Sequence, residues 1–133
     1  MILVGLVLLK FCVYFAVCIA AIPMLRLGVA DRTSFALRWS GFRLLLGLVL
    51  GILIAWLFGT ATDANVPDVL AYSMSFVFVR YVAWLVVYVL IAKAHYIPIK
   101  VRGQWWVCLG VATNVALDGL AVVAGADRIR LWC

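Results

Sequence analysis

The chain has 133 residues and a formal net charge of +6, and 69% of its residues are hydrophobic against 12% charged. This apolar share lies far above that of a soluble globular domain, which would have too few polar residues to cover its surface. The composition therefore excludes a soluble fold and predicts a single all-α integral membrane domain over residues 1–133.

Four apolar runs are long enough to cross a bilayer, which takes about 20 residues per helix. They predict a four-helix transmembrane bundle with spans at about residues 2–24, 41–58, 69–92 and 105–124. The first run has no basic segment before it and no small-residue cleavage site before Pro23. We therefore expect a retained span at the N-terminus and not a cleaved signal peptide.

The predicted loops differ in charge. Residues 59–68 carry two acids and no base, whereas the other two loops are basic. The basic loop residues are Arg26, Arg32, Arg38, Arg43, Lys93, Lys100 and Arg102. The positive-inside rule places these two loops in the cytoplasm and both termini outside, although Arg128 and Arg130 in the tail oppose this orientation. We expect the basic residues to contact anionic lipid headgroups, with no nucleic-acid partner.

Tryptophan positions agree with this topology. Trp39, Trp105 and Trp106 fall at the predicted cytoplasmic boundary, and Trp56 and Trp132 fall near the outer one. Indole rings prefer the headgroup region because they are amphipathic. Residues 30–41 mix arginines with aromatic residues. They fit either a short interfacial helix or an irregular basic loop, and the sequence leaves both open.

Three ionisable residues lie inside apolar runs: Lys10, Arg80 and Asp118. A charge within hydrocarbon costs at least a few kcal/mol, so each requires a partner or an aqueous route. With a rise of 1.5 Å per residue, all three lie at depths of roughly 10 to 16 Å below the outer membrane face. We therefore predict an Arg80–Asp118 ion pair in the bundle interior, with Lys10 nearby.

Other polar residues extend this cluster. Asn114 lies one turn from Asp118 on the same helical face, with Thr113 adjacent, and Ser73 lies two turns before Arg80. Two interpretations remain open. The cluster is either a structural salt bridge that fixes helix register, with Lys10 reaching toward the headgroups, or a hydrated site for an ion, a proton or an anionic solute. The local charge of about +1 favours either an anion or a Lys10 that is neutral in its buried position.

The second predicted span carries a stripe of small residues, four apart: Gly47, Gly51, Ala55 and Gly59. Small residues at this spacing allow two helix backbones to approach closely in a bilayer, where van der Waals contact drives association. The stripe predicts helix packing, either against another span of the same chain or against a second copy.

No catalytic constellation is recognisable. The four cysteines form no C-x-x-C pair, His95 is the single histidine, and hydrolase, nucleotide-binding and zinc-protease motifs are missing. We therefore predict no catalytic residues, no metal site and no cofactor, and an enzyme is the least supported class of function.

The leading hypothesis is a small transporter or channel-type protein for an ion or a small anionic solute. We expect it to act in a bacterial cytoplasmic membrane. We also expect it to act as an oligomer, because so short a chain has little room for a transport pathway of its own. One alternative is a non-catalytic membrane subunit or assembly factor of a larger complex. A second is a holin-like pore former.

Overall fold

In the computed structural model, residues 2–63 and 73–123 are described, and these residues are helical apart from two short connections. The described elements are α1 (Ile2–Leu25), α2 (Arg32–Asp63), a π-helical segment (Ser73–Phe78), α3 (Val79–Ala94) and α4 (Val101–Val123). The α-helices pack side by side, with α1 against α2 and α4, and α3 against α2 and α4. Outside the described residues lie Arg128, Arg130, Trp132, the fourth cysteine, Cys133, and Asp68, which is one of the two acids of residues 59–68.

The second helix is longer than predicted. It begins at Arg32 and has 32 residues, so most of the predicted basic loop is the first part of α2. Asp31 explains this start, because its Oδ1 accepts hydrogen bonds from the backbone N–H groups of Thr33 at 3.0 Å and Ser34 at 3.2 Å. An aspartate in this position satisfies the free amides of a first helical turn. Residues 32–41 are thus neither an irregular loop nor a separate interfacial helix.

Helices α1 and α3 end in the same way. The Leu27 N–H donates to Ile22 at 2.9 Å, and the Ile97 N–H donates to Ala92 at 3.0 Å. In each case the residue before the donor is left-handed, Arg26 with φ 55° and Tyr96 with φ 53°. This is the Schellman arrangement, which most often places glycine at the left-handed position.

Three helical stretches are long and apolar enough to cross a membrane: Val7–Leu25, Arg32–Leu57 and Phe76–Ala94. They make the chain compatible with membrane insertion. The outward face of α2 fits this environment, since its large apolar side chains are exposed; they include Leu45, Val49, Ile52 and Trp56. The described part of helix α4 is not one of these three stretches.

Aromatic side chains fill the centre of the bundle. The buried rings of Trp84 and Trp106 meet edge to face at 5.2 Å, and Tyr14 meets Trp84 in the same way at 5.6 Å. Trp106 Nε1 donates to the Val17 carbonyl at 2.8 Å. Trp106 was expected at the membrane boundary, but this hydrogen bond lets the indole lie inside, where its N–H has an acceptor.

Two glycines of α4 make room for the aromatic residues of α3. A Cβ atom at Gly110 would lie 2.9 Å from Cγ of Trp84, and one at Gly103 would overlap the Tyr88 ring. Each ring therefore packs directly on helix backbone. This contact sets the distance between α3 and α4, and it brings the polar residues of the two helices within reach of each other.

Candidate functional site

An ion pair joins α3 and α4. Nη1 of Arg80 contacts Oδ2 of Asp118, as both a hydrogen bond and a salt bridge. The Arg80 side chain is 1% exposed and that of Asp118 is 13% exposed. Arg80 is the second residue of α3 and follows the π-helical segment directly, with its guanidinium carbon 5.5 Å from the centroid of the Phe76 ring. The structure thus brings together the two charges that the sequence analysis paired.

Lys10 of α1 adds a second cation to the same carboxylate. Its Nζ lies 3.6 Å from Oδ1 of Asp118, and its side chain is 7% exposed. Each carboxylate oxygen therefore faces one cation, and three helices meet at Asp118. We refer to Lys10, Arg80 and Asp118 as the charge cluster. Its formal charge is +1, because two cations share one carboxylate.

Asn114, one turn from Asp118, also faces α1. The Tyr14 hydroxyl donates to Oδ1 of Asn114 at 2.5 Å, and the amide is buried. Asn114 Nδ2 has no acceptor among the described residues. Thr113 does not join this contact, since its hydroxyl donates to the Gly110 carbonyl of its own helix at 2.8 Å. The side chain of Ser73 lies outside the described residues.

Arg43 occupies a different place from the one expected. The predicted loop position in contact with headgroups is wrong, because Arg43 lies within α2 and is 1% exposed. Its guanidinium carbon lies 5.2 Å from the Tyr14 ring centroid and 5.1 Å from that of Trp84. Because α2 starts at Arg32, Arg43 lies about three turns inside the helix, on its inward face. Aromatic ring faces attract a cation, and this attraction helps to offset the cost of burial.

The remaining basic residues of the predicted set are exposed and belong to the ends of the helices or the connections between them. They are Arg26, Arg32, Arg38, Lys93, Lys100 and Arg102. They lie at the end of the bundle where α1 and α3 finish and where α2 and α4 begin. We call this end of the molecule the basic end. The charge cluster lies nearer the opposite end, because Lys10 precedes the middle of α1 and Asp118 follows that of α4.

The small-residue stripe of α2 lies on the flank toward the bundle, where Gly51 is buried and Gly47 and Ala55 are partly buried. A Cβ atom at Gly47 would have one neighbour within 4 Å, Nη1 of Arg43 at 3.1 Å. A Cβ at Gly59 would have none among the described residues. Gly47 faces Val79 and Ala83 of α3 across a narrow gap, but no described atom of another helix lies within 4 Å of its Cβ position. Gly47 instead leaves space beside the Arg43 guanidinium.

Four residues have roles in the structure that were not predicted from the sequence: Tyr14, Arg43, Gly103 and Gly110. Tyr14 carried a usable signal, because a phenol in an apolar helix needs a hydrogen-bond partner and lies one turn from Lys10. The two α4 glycines are seven apart, which places them on one helical face. This pattern is less conspicuous than the four-residue stripe of α2.

In comparisons with known proteins, no family model, no curated protein and no solved structure matches this chain.

Proposed function

We propose that the protein is a small transporter or channel-type protein that moves a small anion across a membrane, with the charge cluster as its polar site. One observation carries the proposal: Lys10 and Arg80 both face the single carboxylate of Asp118 in the packed interior. A salt bridge that only fixed helix register would need one cation. Among the described residues, the second cation leaves a formal charge of +1, which a transported anion would offset. Ionisable groups within membrane helices commonly mark such pathways.

The proposed topology has four spans with both termini on the non-cytoplasmic side of a bacterial cytoplasmic membrane. Helix α4 supports a fourth span, because its 23 residues extend roughly 35 Å, more than the hydrocarbon thickness of about 30 Å. Its Asn114 is buried and its Asp118 is partly buried, so these polar groups would avoid the lipid. The exposed cations at the basic end support a cytoplasmic location for that end. Reporter fusions that are active only outside the cytoplasm should be active at both termini.

Self-association is part of the proposal. The Trp84 and Trp106 rings fill the interior, so a pathway would run between copies and not along the axis of one chain. The exposed face of α4 includes small residues, among them Ala112, Ala116 and Gly119. Such residues permit close helix approach in a bilayer. Asp118, on the same helix, is the most exposed member of the charge cluster.

Cys108 provides a test of this association, because it is a free, exposed cysteine on α4. With Cys12, which is also free and exposed, and the terminal Cys133 replaced by serine, a short bismaleimide should link two copies through Cys108 in membranes. Ala112→Leu should reduce this product, while Val115→Leu, a change at an exposed position that already carries a large side chain, should not. Equal crosslinking in both variants would count against association through this face.

Transport is tested by reconstitution of the full chain into liposomes, with anion efflux measured under a potassium diffusion potential. Lys10→Met removes the excess positive charge and keeps the Arg80–Asp118 pair. We expect anion flux to fall at least about tenfold. The matched control is Lys93→Met, the same chemical change at an exposed lysine of the basic end, and its flux should equal that of the unaltered protein.

Three results would contradict the proposal: no flux from the unaltered protein, unchanged flux in Lys10→Met, or equal losses in both variants. Size-exclusion chromatography of each variant excludes misfolding as the cause of a loss. An inactive protein that co-purifies with a stoichiometric larger partner would favour the membrane-subunit alternative. Rapid loss of membrane potential followed by lysis on expression would favour the holin-like alternative.

A further inference from the structure

A cavity of about 450 Å³ opens at the basic end, between the end of α1, the start of α4 and the connection that precedes α4. Its volume lies within the range usual for small-molecule sites. Three cationic residues line it, Arg26, Lys100 and Arg102, and none of the described residues that line it is acidic. The other walls include the apolar residues Leu25 and Ile97. The cavity thus combines apolar walls with a concentration of positive charge.

The backbone around the cavity is held in place. Lys100 N–H donates to the Tyr88 Oη at 2.9 Å, and the Tyr88 hydroxyl faces the Lys100 carbonyl at 3.3 Å. The ring of Tyr88 packs on Gly103, which also lines the cavity. These contacts fix the first turn of α4 beside the cavity. Arg26 enters from the end of α1, in the left-handed conformation that more often belongs to glycine.

The residues that line the cavity indicate the chemical class of ligand that it would bind. Helix α4 begins at Val101, so Lys100 directly precedes its first turn and Arg102 lies within that turn, where the helix dipole favours an anion. Arginine presents several N–H donors in one plane and binds phosphate through two hydrogen bonds at once. Lysine adds a point charge. Three cations around one cavity with no carboxylate in its lining suit a phosphate group.

We propose that this cavity is a binding site for a phosphate group, which belongs either to the headgroup of an anionic phospholipid or to a soluble phosphate compound. The site is separate from the charge cluster and does not depend on the transport function. Arg26 and Arg102 would hold the phosphate oxygens, and Lys100 would complete the charge. The apolar walls would contact the first carbons of a lipid, or the organic part of a soluble ligand.

The test uses the full chain purified in a neutral detergent and has two arms. In the first, native mass spectrometry measures retention of phosphatidylglycerol against phosphatidylcholine. In the second, isothermal titration measures binding of inorganic phosphate. We expect Arg26→Gln and Arg102→Gln each to weaken binding by at least about tenfold, for whichever of the two ligands the unaltered protein binds. Arg32→Gln removes an exposed cation of the basic end that does not line the cavity, and it should change binding less than about twofold.

Arg26→Gly and Tyr96→Gly form a second matched pair, because both place glycine at a left-handed helix end. Both changes should be tolerated by the fold, and only Arg26→Gly should weaken binding. Loss confined to the lipid arm identifies a phospholipid site, and loss confined to the phosphate arm identifies a soluble ligand. Binding of neither ligand, or equal losses in Arg32→Gln and the cavity variants, would overturn the proposal.

Discussion

Replacement of Asp118 by leucine tests the energetic role of the charge cluster most directly. The change removes the carboxylate that faces both Lys10 and Arg80. Removal of one partner from a buried ion pair costs about 3–5 kcal/mol, because a charge is left in a medium of low dielectric. We therefore expect Asp118→Leu to lower the free energy of unfolding by about that amount. Asp31→Leu, an acid-to-leucine change at the start of α2, should cost about 1 kcal/mol through loss of a helix cap.

Lys10 should contribute much less to stability than Arg80 does. At 3.6 Å, its attraction to the carboxylate is about 4–5 kcal/mol with an effective dielectric constant of about 20. The desolvation of a buried ammonium costs several kcal/mol, so the two terms nearly cancel. We expect Lys10→Met to change the free energy of unfolding by less than about 1 kcal/mol. This small effect is why the same variant is suited to the flux measurement.

A double-mutant cycle with Arg80→Met and Asp118→Leu completes the test. Replacement of both partners by apolar residues of similar size is often neutral or stabilising. The double variant should thus be more stable than Asp118→Leu alone by roughly 2 kcal/mol or more. Unfolding is followed in mixed micelles by the fluorescence of the buried Trp84 and Trp106. If the two single losses simply add, the contact between Arg80 and Asp118 carries no coupling energy and our reasoning is wrong.

Two further predictions concern the packing around the cluster. Gly110→Ala should lower stability by about 1–3 kcal/mol, because its Cβ would lie 2.9 Å from Cγ of Trp84. Gly119→Ala should not lower it, because no described residue lies within 4 Å of the new atom. Tyr14→Phe should cost about 1–3 kcal/mol, since it removes the donor to the buried Asn114. Combination of Tyr14→Phe with Asn114→Leu should recover most of that loss, and both comparisons use the same micelle unfolding assay.

The main helices and the ion pair could be predicted from the sequence because the physics of a bilayer leaves few choices. An isolated charge within hydrocarbon is so costly that Arg80 and Asp118 had to find partners, and few were available. The apolar runs located the helices, but not the start of α2. That start depends on two local hydrogen bonds, which the Asp31 carboxylate accepts from the backbone N–H groups of Thr33 and Ser34. The helix therefore begins before the apolar run does. Hydropathy alone does not report such a cap.

The burial of Arg43 could not be predicted for a related reason. It stands next to other arginines at the edge of an apolar run, a position in which most arginines contact headgroups. Its location depends on which face of α2 points inward and on the two rings, Tyr14 and Trp84, that α1 and α3 bring to it. Those contacts arise only once three helices have packed. The sequence contains Arg43, Tyr14 and Trp84 but does not indicate that they come into contact.

Asp118 is where two sets of contacts meet. Between α1 and α4, Lys10 faces Asp118 and Tyr14 faces Asn114. The residue number increases along α1 while that of its partner decreases along α4, so the two helices are antiparallel. Along α3 and α4, Arg80 faces Asp118 and Trp84 packs on Gly110. In a bilayer, apolar helix faces are equally well solvated by lipid in any register, so polar contacts and shape must determine the register.

Any change at Asp118 disturbs both helix registers at once, so its effect combines a loss of structure with a loss of function. Lys10 contributes to one register only, and its removal leaves the Arg80 contact intact. The excess charge at Lys10 is therefore the feature of this cluster that stability alone does not explain.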